Sequence, residues 1–326
     1  MSNPFALDHQ NKPKQCPNIP SSEDTDMSSS SDHTRPKILK ELINKDTLNE
    51  YHQYKETKLL INKYGNDFFS LLKREDIPFM RESIAKHSLS SETRCKMVDW
   101  MYEIFASYHS ESRTFFLAVY IMDTFLSRTF YSVCNEEIHL LGLCCIYIAS
   151  KMEDLIPIHL GHIVSKIGYN KFTKEQVQQK EKEILSTIDF DLVNASCFDF
   201  INAFLLDFSL NNQDIVKNYM KEAFHVFEET CFYLCRLSCL SWEFSFFTNY
   251  IKAICILILS YDIMSSKHIG IDKNVEVFLR EWISFVIKES KMDKAMLNFI
   301  YEQLSLLYKI NLSGEIGNYL LLHKKY

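Results

Sequence analysis

Glycine and proline are scarce in this chain of 326 residues, which contains only 7 of each. Turn-rich all-β folds and glycine-rich nucleotide-binding folds depend on these residues, and both residues interrupt helices. Their scarcity therefore argues against those folds and favours long helices. Hydrophobic residues make up 47% of the sequence, which is enough to form a large buried core.

Long basic blocks and long apolar runs are also missing. The 36 Lys and Arg residues and 42 Asp and Glu residues give a formal net charge of −6. This balance argues against non-specific nucleic-acid binding, which depends on cations that neutralise phosphates. The longest apolar stretch, Ala253–Met264, contains Asp262 and is shorter than the ~20 residues that a membrane helix requires. We therefore predict a buried core helix there, with no membrane and no nucleic acid as partner.

Motifs for metal binding and catalysis are absent as well. The ten cysteines include no Cys-x-x-Cys pair, and the start Met-Ser-Asn-Pro lacks a secretion signal. We therefore expect free thiols in a reducing compartment, in the nucleus, the cytoplasm or both. The spacing of Cys231, Cys235 and Cys239 is typical of one buried helix face. A zinc site is not expected there, because it needs a tighter pair of cysteines and a fourth ligand. With no phosphate loop, nucleophile elbow or His-Glu-x-x-His motif, the sequence predicts no metal, no cofactor and no enzymatic activity.

The composition divides the chain into a tail, a helical extension and two helical units. Residues 1–36 hold five of the seven prolines and the run Ser28–Ser31, which is typical of a disordered polar tail. Helical periodicity then begins, and Pro78 ends the extension's last helix. The predicted boundaries are 1–36 for the tail, 37–88 for the N-terminal helical extension, 89–193 for the first unit, 194–310 for the second unit and 311–326 for a C-terminal tail.

Local signals mark individual helices in the two units. Ser90 and Ser91 are good N-cap residues for the first helix, and Thr173 with Gln176 forms a capping box for the fifth. The third helix is apolar on nearly every side over Ile138–Ala149, so we expect the other helices to surround it. The predicted fold class is therefore all-α, with two tandem five-helix units after a short N-terminal helix and a disordered tail.

Two pairs of charges lie where apolar residues are expected. Lys151 follows the apolar run of the third helix, and Glu181 interrupts the apolar stripe of the fifth. A carboxylate in such a stripe costs free energy unless it is paired or used. Lys151 and Glu181 therefore form either an internal ion pair or the rim of an interaction surface. Asp123 interrupts the stripe of the second helix, and with Arg94 of the first it predicts a structural salt bridge.

Four segments, in this order, resemble the cyclin family and in particular A- and B-type cyclins. They are Thr93–Trp100, Phe116–Ser127, Ile148–Asp154 and Lys174–Leu192. The resemblance is strong over residues 64–208, diverged over residues 211–308 and absent before Lys37. It implies that the two units are tandem cyclin folds and that the first unit is the cyclin box.

The resemblance implies a regulatory role without catalytic residues. A cyclin binds a cyclin-dependent serine/threonine protein kinase, holds it in its active arrangement and so controls cell-cycle progression. Similarity to A- and B-type members suggests a function in mitosis or S phase. In the family, a Lys ending the third helix and a Glu in the fifth hold the kinase, and the matching residues are Lys151 and Glu181. Apolar kinase contacts are implied at Ile148, Met152, Leu185, Phe190 and Leu192. The helix before the box, Tyr51–Leu72, is implied as a further contact, and Arg94 with Asp123 matches the family's internal salt bridge.

Many cyclins also dock substrates on an exposed apolar patch of the first helix. The matching positions form a candidate patch for kinase substrates or inhibitors, and they are Met97, Trp100, Glu103 and Ile138. Thr93 and Lys96 replace apolar residues of the family, so a charge interrupts this patch.

Two alternative functions stay open, namely a transcription factor with paired cyclin folds and a non-catalytic α-helical scaffold.

Overall fold

A computed structural model describes residues 67, 69–79, 85–267 and 273–312 of the chain. Every regular element in these ranges is helical, which confirms the all-α fold class. No helix within them is both long and apolar enough to cross a lipid bilayer. The predicted tail of residues 1–36, the extension before residue 67 and residues 313–326 lie outside the described residues.

The described helices follow the predicted succession of two sets of five. The first set is α1 (Ser91–Tyr108), α2 (Ser112–Arg128), α3 (Ile138–Glu153), α4 (Leu160–His162, continued by the π-helical turn Ile163–Ile167) and α5 (Lys174–Thr187). The second set is α6 (Cys197–Asn211), α7 (Lys221–Leu240), α8 (Asn249–Lys267), α9 (Lys273–Ser290) and α10 (Lys294–Leu312). Short helical turns at Gln213–Ile215, Val216–Met220 and Trp242–Phe246 flank α7. The domain boundaries themselves stay a prediction.

Helix α3 lies at the centre of the first set. It packs against α1, α2 and α5, and most of its side chains between Ile138 and Ala149 are buried. Gly142 permits the close approach of α1, because a Cβ at this position would overlap Met97 Sδ. Helix α3 is apolar on nearly every side, and its neighbours enclose it as that pattern predicts.

Side-chain caps set the starts of α1 and α5. Ser90 Oγ accepts the Thr93 N–H at 3.1 Å, just before α1. The Gln176 N–H donates to Thr173 Oγ1 at 3.2 Å, and the Thr173 N–H donates to Gln176 Oε1 at 2.8 Å. Both arrangements satisfy N–H groups that have no partner within the helix, and they confirm the predicted helix starts.

A buried carboxylate ties the N-terminal extension to the second set of helices. Asp76 accepts the N–H groups of Asn249 at 2.7 Å and Tyr250 at 2.8 Å, at the start of α8. The Phe79 N–H donates to the Ser245 carbonyl at 3.0 Å. Burial raises the pKa of Asp76, and its hydrogen bonds to Tyr250 and Asn249 oppose that rise. Because negative charge is favourable at a helix N-terminus, Asp76 stabilises both α8 and the placement of the extension.

The side chain of His87 joins the end of the extension to the end of α2. Its Nδ1 accepts the Val133 N–H at 3.0 Å, so Nε2 carries the proton and donates to the Leu126 carbonyl at 2.5 Å. These two contacts require the neutral imidazole. Burial lowers the pKa of His87, and the hydrogen bond to Leu126 opposes that decrease.

We expect the free energy of unfolding to fall as the pH drops below about 6.5, because protonated His87 cannot accept from Val133. A histidine whose pKa is lower in the folded state stabilises the fold above its unfolded pKa and loses that contribution on acidification. Urea unfolding on both sides of this pH, with His87→Gln beside the wild type, measures the effect. The wild type should lose more stability than the variant, and equal losses would contradict the assignment.

Candidate functional site

Lys151, near the end of α3, and Glu181, in the middle of α5, form an ion pair. Lys151 Nζ donates to Glu181 Oε1 and also lies 4.1 Å from the centroid of the Tyr147 ring. The side chain of Lys151 is 35% exposed, and that of Glu181 is 15% exposed. The two charges therefore pair with each other and still reach solvent, which is compatible with both roles that the sequence left open.

The five apolar residues predicted to act with this pair differ in exposure. Met152 is 55% exposed and Phe190 is 67% exposed. Leu185 and Leu192 are half-buried and pack against the core, whereas Ile148 is buried. Met152 and Phe190 therefore offer most of the apolar surface in this predicted set.

The backbone that carries Phe190 adopts a conformation that is uncommon for residues with a Cβ. Asp189 and Phe190 both have a φ of 54°. The Phe190 N–H donates to the Leu185 carbonyl at 2.9 Å, and Arg128 Nη1 donates to the Ile188 carbonyl at 2.6 Å. These bonds hold the turn after α5 while the Phe190 ring stays exposed. Unusual backbone conformations of this kind cluster at functional sites.

Arg94 and Asp123 form a second ion pair, which lies in the core. Their side chains are only 2% and 4% exposed. Arg94 Nε and Nη2 donate to the two carboxylate oxygens of Asp123 at 2.9 Å and 2.6 Å, and Nη1 donates to the Cys239 carbonyl at 3.0 Å. Burial alone would lower the pKa of Arg94, but the Asp123 carboxylate raises it. The pair therefore connects α1 to α2 and to α7.

The predicted substrate-docking patch is only partly at the surface. Met97 and Ile138 belong to the core around α3 and are 3% and 0% exposed. Trp100 is half-buried, with its ring centroid 5.2 Å from that of His139, and Glu103 is exposed. Because buried side chains cannot line an exposed patch, Trp100 and Glu103 are its accessible members.

Two exposed residues that follow Lys151 by four and five positions in the chain were not predicted from the sequence. Leu155 is 95% exposed and Ile156 is 84% exposed, in the turn between α3 and α4. The one signal for them in the sequence is a pair of aliphatic residues directly before Pro157, in a short loop. Helical periodicity does not detect such residues, because they lie outside any helix.

The described residues contain no group of three or more His, Cys, Asp or Glu side chains that could hold a metal ion. Burial raises the pKa of the Cys231 and Cys239 thiols to about 12, so these thiols are poor nucleophiles. The surface around Lys151 and Glu181 instead offers charge and apolar area, and these features suit the binding of another protein.

Comparison with known proteins relates the chain to a protein family. Residues 67–193 match the family described as "Cyclin, N-terminal domain". The structure is similar to the X-ray structure of a viral cyclin from herpesvirus saimiri, with a TM-score of 0.51 and 14% identity, covering 78% of this chain and 96% of that one. At this identity the structural similarity supports the fold alone.

Curated relatives carry the names of A- and B-type cyclins. The chain is 30% identical over 141 residues to the G2/mitotic-specific cyclin-B of Drosophila melanogaster. The aligned region covers 42% of this chain and 26% of that protein. It is 31% identical over 127 residues to the G2/mitotic-specific cyclin-A of the same organism, covering 36% of this chain and 25% of the relative. The putative cyclin-A3-1 of Arabidopsis thaliana is 27% identical over 221 residues, 68% of this chain and 58% of the relative. The matches thus span between a quarter and three fifths of these relatives.

Proposed function

We propose that this chain, a member of the cyclin family whose residues 67–193 match the cyclin N-terminal domain, binds and activates a cyclin-dependent serine/threonine protein kinase. Cyclins are regulatory proteins without catalytic residues of their own. The kinase, rather than this chain, then carries out phosphoryl transfer. The mitotic names of the relatives support a function in cell-cycle control.

The observation that supports this proposal most is that the paired side chains of Lys151 and Glu181 still reach solvent, at 35% and 15% exposure, with the exposed Met152 next to Lys151 in the chain. Protein interfaces typically combine an apolar centre with a few charged groups that orient the partner. Met152 lies next to Lys151 in the chain and is 55% exposed, and Leu185 lies one turn after Glu181 on α5. A partner that covers this surface would bury apolar area and meet both charges.

Activation follows from selective binding to one conformation of the kinase. A protein that binds the active arrangement more tightly than the inactive one shifts the population towards the active form. Converting a 1:99 mixture to 99:1 requires about 5.5 kcal/mol of differential binding. An interface of about 1,600 Å² or more can supply that difference when its centre is apolar and well packed. The chain therefore needs no catalytic group to activate the kinase.

Affinity purification of the tagged full-length chain from a eukaryotic extract, followed by mass spectrometry, tests the proposal. We expect a cyclin-dependent kinase catalytic subunit to co-purify, and we expect the purified chain to stimulate histone phosphorylation by that kinase. The control is a variant of the exposed Glu92–Lys96 pair on α1, Glu92→Ala with Lys96→Ala, which should retain both activities. Absence of any such kinase from the purified material, together with no stimulation of purified kinases, would contradict the proposed function.

A further inference from the structure

Helix α10 carries two apolar stripes, and only one of them faces the core. The buried stripe packs against the other helices of the second set and consists of Leu297, Ile300, Leu304 and Leu307. The second stripe lies beside it and is open to solvent. Its members Met296, Phe299 and Leu306 are 45%, 47% and 37% exposed. The buried stripe alone is enough to hold α10 in the bundle, so the exposed one is apolar area that the fold itself does not use.

The exposed stripe runs along one face of α10 without a charge. Positions 296, 299, 303, 306 and 310 recur at the spacing of a single helix face, and Gln303 and Ile310 on this face are half-buried. At about 3.6 residues per turn, the charged residues of α10 fall on other sides of the helix, and they are Lys294, Glu302 and Lys309. A face of this kind suits an apolar partner.

The loop before α8 extends this face. The ring of Phe247 is half-buried, and its centroid lies 6.1 Å from that of Phe299. Single exposed apolar residues are normal on protein surfaces, but a contiguous apolar patch marks an interaction site more often. We call the patch formed by Phe247, Met296, Phe299 and Leu306 the α10 face.

The chain itself supplies a segment of matching composition directly after this helix. Residues 316–322 read Ile-Gly-Asn-Tyr-Leu-Leu-Leu, so five of these seven residues are apolar. Gly314 stands two positions after Leu312, the last residue of α10. Glycine just past a helix end permits the chain to reverse its direction. The sequence therefore allows residues 316–322 to run back along α10.

The length of this segment matches the length of the face. Met296 lies about 24 Å from Leu312 along the helix axis, at about 1.5 Å per residue. The eight residues 315–322 span about 26 Å when they are extended, at about 3.3 Å per residue. The segment can therefore reach every part of the α10 face while it stays attached to the end of the helix.

We propose that residues 316–322 fold back and dock on the α10 face, so that this face is the binding site for a segment of the same chain. Docking within one chain has an effective concentration in the millimolar range when the connection is short, and only residues 313–315 separate the segment from α10. A weak apolar contact is then sufficient. The docked segment buries the exposed stripe and keeps it from other proteins.

Proteolysis of the full chain with chymotrypsin, followed by mass spectrometry, tests the docking. Chymotrypsin cleaves after Tyr319 and the leucines that follow it, and the rate tracks the undocked population when docking is fast. Phe299→Ser with Leu306→Ser should speed this cleavage about 10-fold or more, and it leaves the cleaved segment unchanged. The matched control is Val277→Ser with Phe285→Ser on α9, whose residues are 40% and 61% exposed. It should be cleaved within about two-fold of the wild type.

A synthetic peptide of residues 313–326 gives the cleavage rate of a segment that cannot dock. We expect the same bonds in the wild-type chain to be cleaved about 10-fold more slowly than in the peptide, and this comparison holds even if the α10 variant does not fold. Equal rates in the chain and the peptide would overturn the proposal. Equal rates in the wild type and a folded α10 variant, as judged by circular dichroism, would do the same. Protection that disappears on dilution would assign the α10 face to a second copy of the chain and also overturn it.

Discussion

Replacing Asp123 with alanine should lower the free energy of unfolding by about 3–5 kcal/mol, because the Arg94 guanidinium would stay buried without a counter-charge. The Arg94 and Asp123 side chains are 2% and 4% exposed, so solvent cannot replace the lost partner. Two of the three side-chain hydrogen bonds of Arg94 end on this carboxylate, and the third ends on the Cys239 carbonyl. Urea denaturation followed by circular dichroism measures the change.

Two further variants separate the buried charge from other effects of the substitution. Asp99→Ala on α1 removes an exposed carboxylate and should change stability by less than about 0.5 kcal/mol. Arg94→Met with Asp123→Leu removes both charges and should recover much of the loss, because no unpaired charge remains in the core. A loss below about 1 kcal/mol in Asp123→Ala would show that water reaches the guanidinium and that the pair does not act as a buried unit.

The helical architecture follows largely from local signals in the sequence. The Ser90 cap, the capping box of Thr173 and Gln176 and the apolar circumference of Ile138–Ala149 all correspond to structural features. Each of these signals depends on residues within a few positions of one another. Periodicity and capping rules detect such local relationships directly, so the predicted order of helices was confirmed.

Features that depend on distant residues could not be predicted in this way. The Asp76 carboxylate accepts from Asn249 and Tyr250, which lie more than 170 positions away. The Arg94 guanidinium likewise donates to the Cys239 carbonyl, 145 positions away. No periodic pattern relates such positions, and a backbone N–H or carbonyl carries no sequence signature. Only the packing of the second set of helices against the first set and against the extension reveals them.

The candidate docking patch illustrates a conflict between two kinds of sequence argument. Met97, Met101 and Phe105 recur at helical spacing and form an apolar stripe on α1, which predicts burial. The family resemblance, by contrast, placed Met97 on an exposed patch. The structure follows the stripe, and Met97 is 3% exposed. Gly142 of α3 allows this close packing, because any side chain there would overlap Met97 Sδ. The physical pattern of the helix was therefore the better guide to exposure at this position.

The second large effect is expected for Lys151→Ala with Glu181→Ala, which should raise the Kd for the kinase by about 30-fold or more, equivalent to about 2 kcal/mol. Each charge would lose its interactions with the partner in a surface that binding dehydrates. The free energy of unfolding should change by about 1 kcal/mol or less, because Lys151 is 35% exposed and solvent screens the pair. Isothermal titration calorimetry measures the affinity, and thermal unfolding verifies that the fold is intact.

A charge-swapped variant decides between the two roles that the sequence left open for this pair. Lys151→Glu with Glu181→Lys preserves an ion pair between α3 and α5 but reverses its polarity towards a partner. If the pair only joins the two helices, the swapped chain should bind the kinase as the wild type does. If the pair recognises the kinase, each reversed charge meets the wrong group, and a like-charge contact at an interface costs several kcal/mol. Loss of binding in the swapped chain with unchanged thermal stability would therefore assign the pair to partner recognition, and retained binding would assign it to the bundle.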